Sequence, residues 1–153
     1  MFKKTCLALA LLGGTISVMH TLLVYVVGLA ALATSSANAA DPALIDAATG
    51  RALTYTELGR AARTVAANLQ KLGLRKGETF CLYAPNSLEY PIAYYGILLA
   101  GGVPTAANPL YSREELCKQL IDSRATRLLT VPEFLDKARD AAIDAGVSEI
   151  YVF

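Results

Sequence analysis

Few side chains in this sequence have a type and spacing suited to covalent chemistry, and each also has a structural reading. Histidine occurs once, at His20, inside an apolar run where it reads as a tolerated residue and not as a functional intramembrane group. No serine or cysteine elsewhere therefore has an imidazole with which to form a nucleophile–base pair. Ser87 and Ser112 stand where helices should begin, and both read as caps whose oxygen accepts a backbone N–H. Cys81 lies in the apolar run Thr79–Tyr83 and Cys117 lies mid-helix. Both suit buried thiols of a reducing compartment and not a disulfide framework. A phosphate cradle needs backbone N–H groups at a strand-to-helix turn, whereas Gly101-Gly102 follows a helix and reads as its cap. Lys76-Gly77 lacks a preceding glycine-rich loop. Asn108-Pro109 reads as a loop-fixing turn. Tyr83, Tyr90, Tyr94, Tyr95 and Tyr111 could wall an aromatic pocket, but their spacing suits core packing better. No catalytic, cofactor-binding or metal-ligating residue is assigned on these grounds.

The elements that would position such residues occupy only part of the chain. Of 153 residues 54% are hydrophobic and 18% charged, and 14 basic side chains against 13 acidic ones give a net charge of +1. That balance, spread along the chain, predicts no nucleic-acid partner. The apolar excess is uneven: no charge occurs from Thr5 to Ala40, behind Lys3-Lys4. Basic start, apolar middle and small residues at Ala37 and Ala39 match a secretory signal cleaved before Ala40, while the run Ile16 to Ala33 is long enough for a membrane anchor. Residues 1–40 are thus a signal peptide, a transmembrane anchor or an artefact of the gene model. In either of the first two cases the leader assigns the chain to the membrane, through residues 16–33, or to the secretory pathway, whereas the cysteines of residues 41–153 suit a domain of cytosolic descent.

Residues 41–153 read as one α/β domain. Leu44-Ile45-Asp46 and Ala52-Leu53-Thr54 form a hairpin turning at Gly50. Thr54 and Glu57 make a capping box for a helix whose inner face holds Leu58, Ala61, Ala62, Val65, Leu69 and Leu72 and which stops at Gly73. Strands follow at Thr79–Tyr83, Val103–Ala106, Arg127–Val131 and Glu149–Phe153, with Pro104 pointing to an edge or a strand end. Between them lie three helices. The first is capped by Asn86 with Glu89 and is apolar nearly all round from Tyr90 to Ala100. The second is capped by Ser112 with Glu115 and carries Leu116, Gln119, Leu120 and Ser123 in register. The third has Pro132 at its first position and runs to Ala145, with Gly146 closing it. A partial parallel, Rossmann-like sheet flanked by helices, in the order βαβαβαβ and preceded by an apolar amino-terminal helix, is the expected fold.

Leu53-Thr-Tyr-Thr-Glu-Leu58, Gly73-Leu-Arg-Lys-Gly77, Pro85-Asn-Ser87 and Leu99-Ala-Gly-Gly-Val103 running into Ala107-Asn-Pro-Leu-Tyr-Ser112 together resemble the amino-terminal part of the adenylate-forming (AMP-binding) enzymes, on the 4-coumarate–CoA ligase, luciferase and acyl-CoA synthetase branch. The resemblance runs from about Leu44 to Phe153. It implies an ATP-dependent carboxylate–CoA ligase that forms an acyl- or aryl-adenylate, with ATP, Mg²⁺ and CoA as cofactors and a carboxylic acid as substrate. In that family the phosphate loop ending in Pro-Lys-Gly, the aromatic-Thr-Glu motif, the ribose-binding Asp and the catalytic Lys lie beyond the position matching Phe153. The chain is therefore read as an amino-terminal fragment, inactive alone. The competing reading is a membrane-tethered or exported noncatalytic α/β binding module.

Overall fold

A computed structural model describes residues 40–153; the leader, including the expected apolar helix and His20, lies outside the described residues. Among the described residues no helix is long and apolar enough to cross a membrane.

The chain opens with an antiparallel hairpin of β1 (Pro42–Ile45) and β2 (Ala52–Thr54), turned at Gly50 with φ +73°. The Asp46 carboxylate fixes this turn by accepting the N–H groups of Ala48 and Thr49 at 2.9 and 3.0 Å. Helix α1 (Tyr55–Lys71) begins on the expected Thr54–Glu57 capping box. It buries Leu58, Gly59, Ala62, Ala66 and Leu69, whereas Leu72, placed on the inner face from sequence, is exposed at the helix end. Leu72 is the C-cap residue of the helix, and the next helix to follow in the chain approaches α1 at Val65, where a Cβ on Gly96 would lie 2.5 Å from Val65 Cγ1.

After α1 the chain builds a parallel sheet. Strands β3 (Thr79–Tyr83), β4 (Val103–Ala107), β5 (Ala125–Thr130) and β6 (Glu149–Val152) lie in the order β4-β3-β5-β6, joined by helices α2 (Glu89–Leu99), α3 (Arg113–Ser123) and α4 (Leu135–Ala145). β4 is an edge strand, which accommodates Pro104 because one side of its backbone has no strand to pair with. One face of the sheet packs Phe80 and Leu82 against α1 and α2; the other packs Cys81, Tyr83 and Leu128 against α3 and α4.

Three expectations are corrected in detail. Asn86 does not cap α2: Ser87 Oγ accepts the Tyr90 N–H at 3.3 Å, and Glu89 instead pairs with Arg51 of the hairpin loop. Buried Leu88 stands at the cap position, so the helix starts at Glu89, two residues later than the sequence box implied. Strand β5 starts at Ala125 and not at Arg127, because Arg124 ends α3 in the left-handed conformation (φ +53°) that sequence gave no glycine to announce. Pro132 opens a single 3₁₀ turn, Pro132–Phe134, ahead of α4. The Ser112–Glu115 box and the apolar character of α2 stand as expected: no residue from Tyr90 to Ala100 is exposed.

Candidate functional site

In an open parallel sheet, ligands approach the carboxyl ends of the strands, where the connections diverge to opposite sides. Here the chain leaves β3 for β4 on one side and returns to β5 on the other, which places the divergence between β3 and β5. A cleft of about 520 Å³ opens beside the end of β3, walled by Leu44–Ala48 of the hairpin and by Asn86, Ser87, Leu88, Tyr90 and Pro91.

The polar groups at this edge mostly hold backbone. Buried Thr130 Oγ1 donates to the Tyr83 carbonyl at 2.8 Å, stapling β5 to β3 at the divergence itself. Tyr83 is buried with its ring against Phe134, and its hydroxyl lies 3.3 Å from both the Pro109 and Tyr111 carbonyls. Lys137 Nζ donates to the same Tyr111 carbonyl at 3.0 Å. Asn108 Oδ1 accepts the Leu110 N–H at 2.9 Å, which makes the Asn108-Pro109 turn self-supporting. Backbone N–H groups, Thr49's foremost and then Ala48's, hold the Asp46 carboxyl below the usual carboxylate range. Burial raises the Tyr90 hydroxyl above its ordinary value, so it stays protonated at the cleft wall.

The remaining sequence candidates have structural roles. Gly101 and Gly102 donate their N–H groups to Leu98 and Ile97 carbonyls at 3.0 and 2.9 Å, closing α2 as a cap. Gly77 donates to the Gly101 carbonyl at 2.8 Å, so Lys76-Gly77 and Gly101-Gly102 form one joined turn. With these amides spent, the turn does not fit ATP phosphates. Cys81 is fully buried, and burial pushes its thiol up to about 12, which removes it as a nucleophile. Ser112 is occupied in its capping box. Among the described residues no group of three or more His, Cys, Asp or Glu side chains comes together to hold a metal ion. Tyr94 and Tyr95 meet edge to face at 5.9 Å, and the tyrosines are distributed over both sheet faces as packing groups. Sequence reasoning missed Thr130 and Asp46 as positioning groups; an Asp immediately before the small-residue turn Ala47–Gly50 is the signal that could have found the second.

The family described as AMP-binding enzyme matches residues 33–151, starting inside the leader as read from sequence. The chain is 39% identical over 103 residues to a probable CoA ligase of Humulus lupulus, covering 67% of this chain and 19% of that protein. It is 38% identical over 109 residues to 4-coumarate–CoA ligase 1 of Petroselinum crispum, covering 71% and 20%. A benzoate CoA ligase from Burkholderia xenovorans LB400 superposes with a TM-score of 0.73 at 29% identity, over 82% of this chain and 25% of that one. The chain thus spans about a fifth of the length of the curated relatives it matches.

Proposed function

We propose that the chain, which belongs to the AMP-binding enzyme family, serves as the amino-terminal scaffold of an ATP-dependent acyl- or aryl-CoA ligase and does not itself carry out adenylation. One observation supports this most. The match is collinear across the hairpin and the parallel sheet but covers only 20% of 4-coumarate–CoA ligase 1, while inside it the polar groups of the sheet's carboxyl edge are used to fix loops.

Such a ligase joins a carboxylate to the α-phosphorus of ATP with release of pyrophosphate, and the thiol of CoA then takes the acyl group with release of AMP. Charge developing in the first step must be met by aligned N–H donors and a cation. The described residues supply no such array, so ATP, Mg²⁺ and CoA belong to parts of a ligase that these residues would support. The contribution of this chain is positional: Tyr83 and Thr130 hold the ends of β3 and β5 and the 108–112 loop in fixed relation. No observation favours the binding-module reading.

The test is complementation. A Petroselinum crispum ligase lacking its matching amino-terminal fifth, co-expressed with this chain, should regain 4-coumaroyl–CoA formation detectable by its absorbance. Failure of rescue, in conditions where the ligase's own amino-terminal piece rescues, would refute the scaffold reading. As a separate proposal, the charge pattern of residues 1–40 supports a targeting leader. Carbonate-resistant membrane association that disappears on deleting residues 1–40 is the expected result; unchanged fractionation would oppose it.

A further inference from the structure

The amino-terminal edge of the sheet holds an arrangement that the carboxyl-edge reading leaves unused. Arg127 is the only charged residue among the described ones that is buried, at 5% exposure. A guanidinium is always charged and presents its donors in a rigid fork, so burial is tolerated only where several acceptors converge on it. They come from three different segments. Nη2 donates to the Leu72 carbonyl at the end of α1 at 3.1 Å. Nη1 donates to the Tyr151 hydroxyl at 3.0 Å and lies 3.2 Å from Glu149 Oε2, both on β6. Nε lies 3.8 Å from Glu78 Oε2 in the loop entering β3, and Glu78 is itself tied to Arg75 through Nε at 2.7 Å.

The position of β6 makes this cluster consequential. Among the described residues β6, four residues long, pairs with β5 alone, and Arg127 stands opposite Glu149 in their register. Beside it an apolar groove of about 360 Å³ runs between α1, α2 and the strand, lined in part by Leu69, Phe80, Leu129, Tyr151 and Val152. Tyr151 shares both features, because its ring packs on Phe80 at 5.5 Å while its hydroxyl accepts from Arg127.

We infer that Arg127 is a conformational latch: it ties the end of α1 to β6, so that the two open together. The fork geometry supplies the coupling, since one rigid guanidinium reaches Leu72 and Tyr151 through different nitrogens. A lysine ammonium, a single point charge, cannot reach both.

Hydrogen exchange on the 153-residue chain tests this. Tyr151→Phe, which removes one acceptor on β6, should raise exchange at least about threefold at Leu72, Gly73 and Leu74 as well as along β6, while Cys81 and Leu82 in central β3 stay unchanged. In an Arg127→Lys background, where β6 and the α1 end already exchange faster, Tyr151→Phe should no longer affect the α1 end. Loss of protection spread evenly over β3, β4, β5 and β6 would overturn the latch in favour of general stabilisation. An effect of Tyr151→Phe confined to β6 would overturn it too. Should Arg127→Lys fail to fold, Tyr151→Phe in the native background decides alone, through whether Leu72–Leu74 respond.

Discussion

Cys81 shows how burial settles the chemistry of a single residue. Its thiol is pushed up to about 12 from an ordinary 9.0, so the folded chain holds this proton more tightly than the unfolded one. A raised pKa stabilises the fold fully below the unfolded value, and the stability is lost as pH climbs from 9 towards 12. Denaturant midpoints of the native chain should therefore fall through that alkaline range, and Cys81→Ser should flatten part of the fall. Alkylation by iodoacetamide at pH 8 should spare Cys81 in the native state and reach it only after denaturant is added. Tyr83 makes a second case at this scale. Tyr83→Phe removes the hydroxyl that lies between the Pro109 and Tyr111 carbonyls. The expected loss is about 1–2 kcal/mol in equilibrium unfolding, with faster amide exchange confined largely to the 108–112 loop.

Helices α1 and α2 carry the argument at the scale of elements, because their contact depends on a missing side chain. Gly96→Ala would place a methyl 2.5 Å from Val65 Cγ1 and 3.3 Å from the Ala62 carbonyl. Overpacking there should cost about 1–3 kcal/mol in thermal or denaturant unfolding. Val65→Ala, by removing the struck methyl groups, should restore much of that loss in the double variant, a non-additivity that a remote effect would not give. The same helices mark what sequence could and could not reveal. Periodicity and the Thr54–Glu57 box located α1 because capping and amphipathicity act within a few residues of one another. The close approach of α2 at Gly96 to Val65 pairs residues 31 apart in the chain, so no local pattern records it. The α2 entrance was misread for a like reason: Arg51, distant in sequence, competes for the Glu89 carboxylate that the local box would have used. Strand order was only partly legible, since Pro104 pointed to an edge while nothing local said that β5 would lie beside β3. At the carboxyl edge, sequence correctly read Gly101-Gly102 as a cap, yet Thr130 stayed hidden because its acceptor, Tyr83, is supplied by another strand.

For the molecule as a whole, the account rests on a division of labour between holding a sheet and performing a reaction. Among the described residues, the polar groups at the carboxyl edge of β3 and β5 hold backbone or line an open cleft, and the joined glycine turn has spent its amides on backbone carbonyls. Pyrophosphate release by the purified 153-residue chain, supplied with ATP, Mg²⁺ and a panel of 4-coumarate, benzoate and anthranilate, measures the consequence directly. The account predicts release no greater than the protein-free rate for every acid, from a chain whose circular dichroism shows the α/β fold intact. Saturable, acid-dependent release by that chain would contradict it.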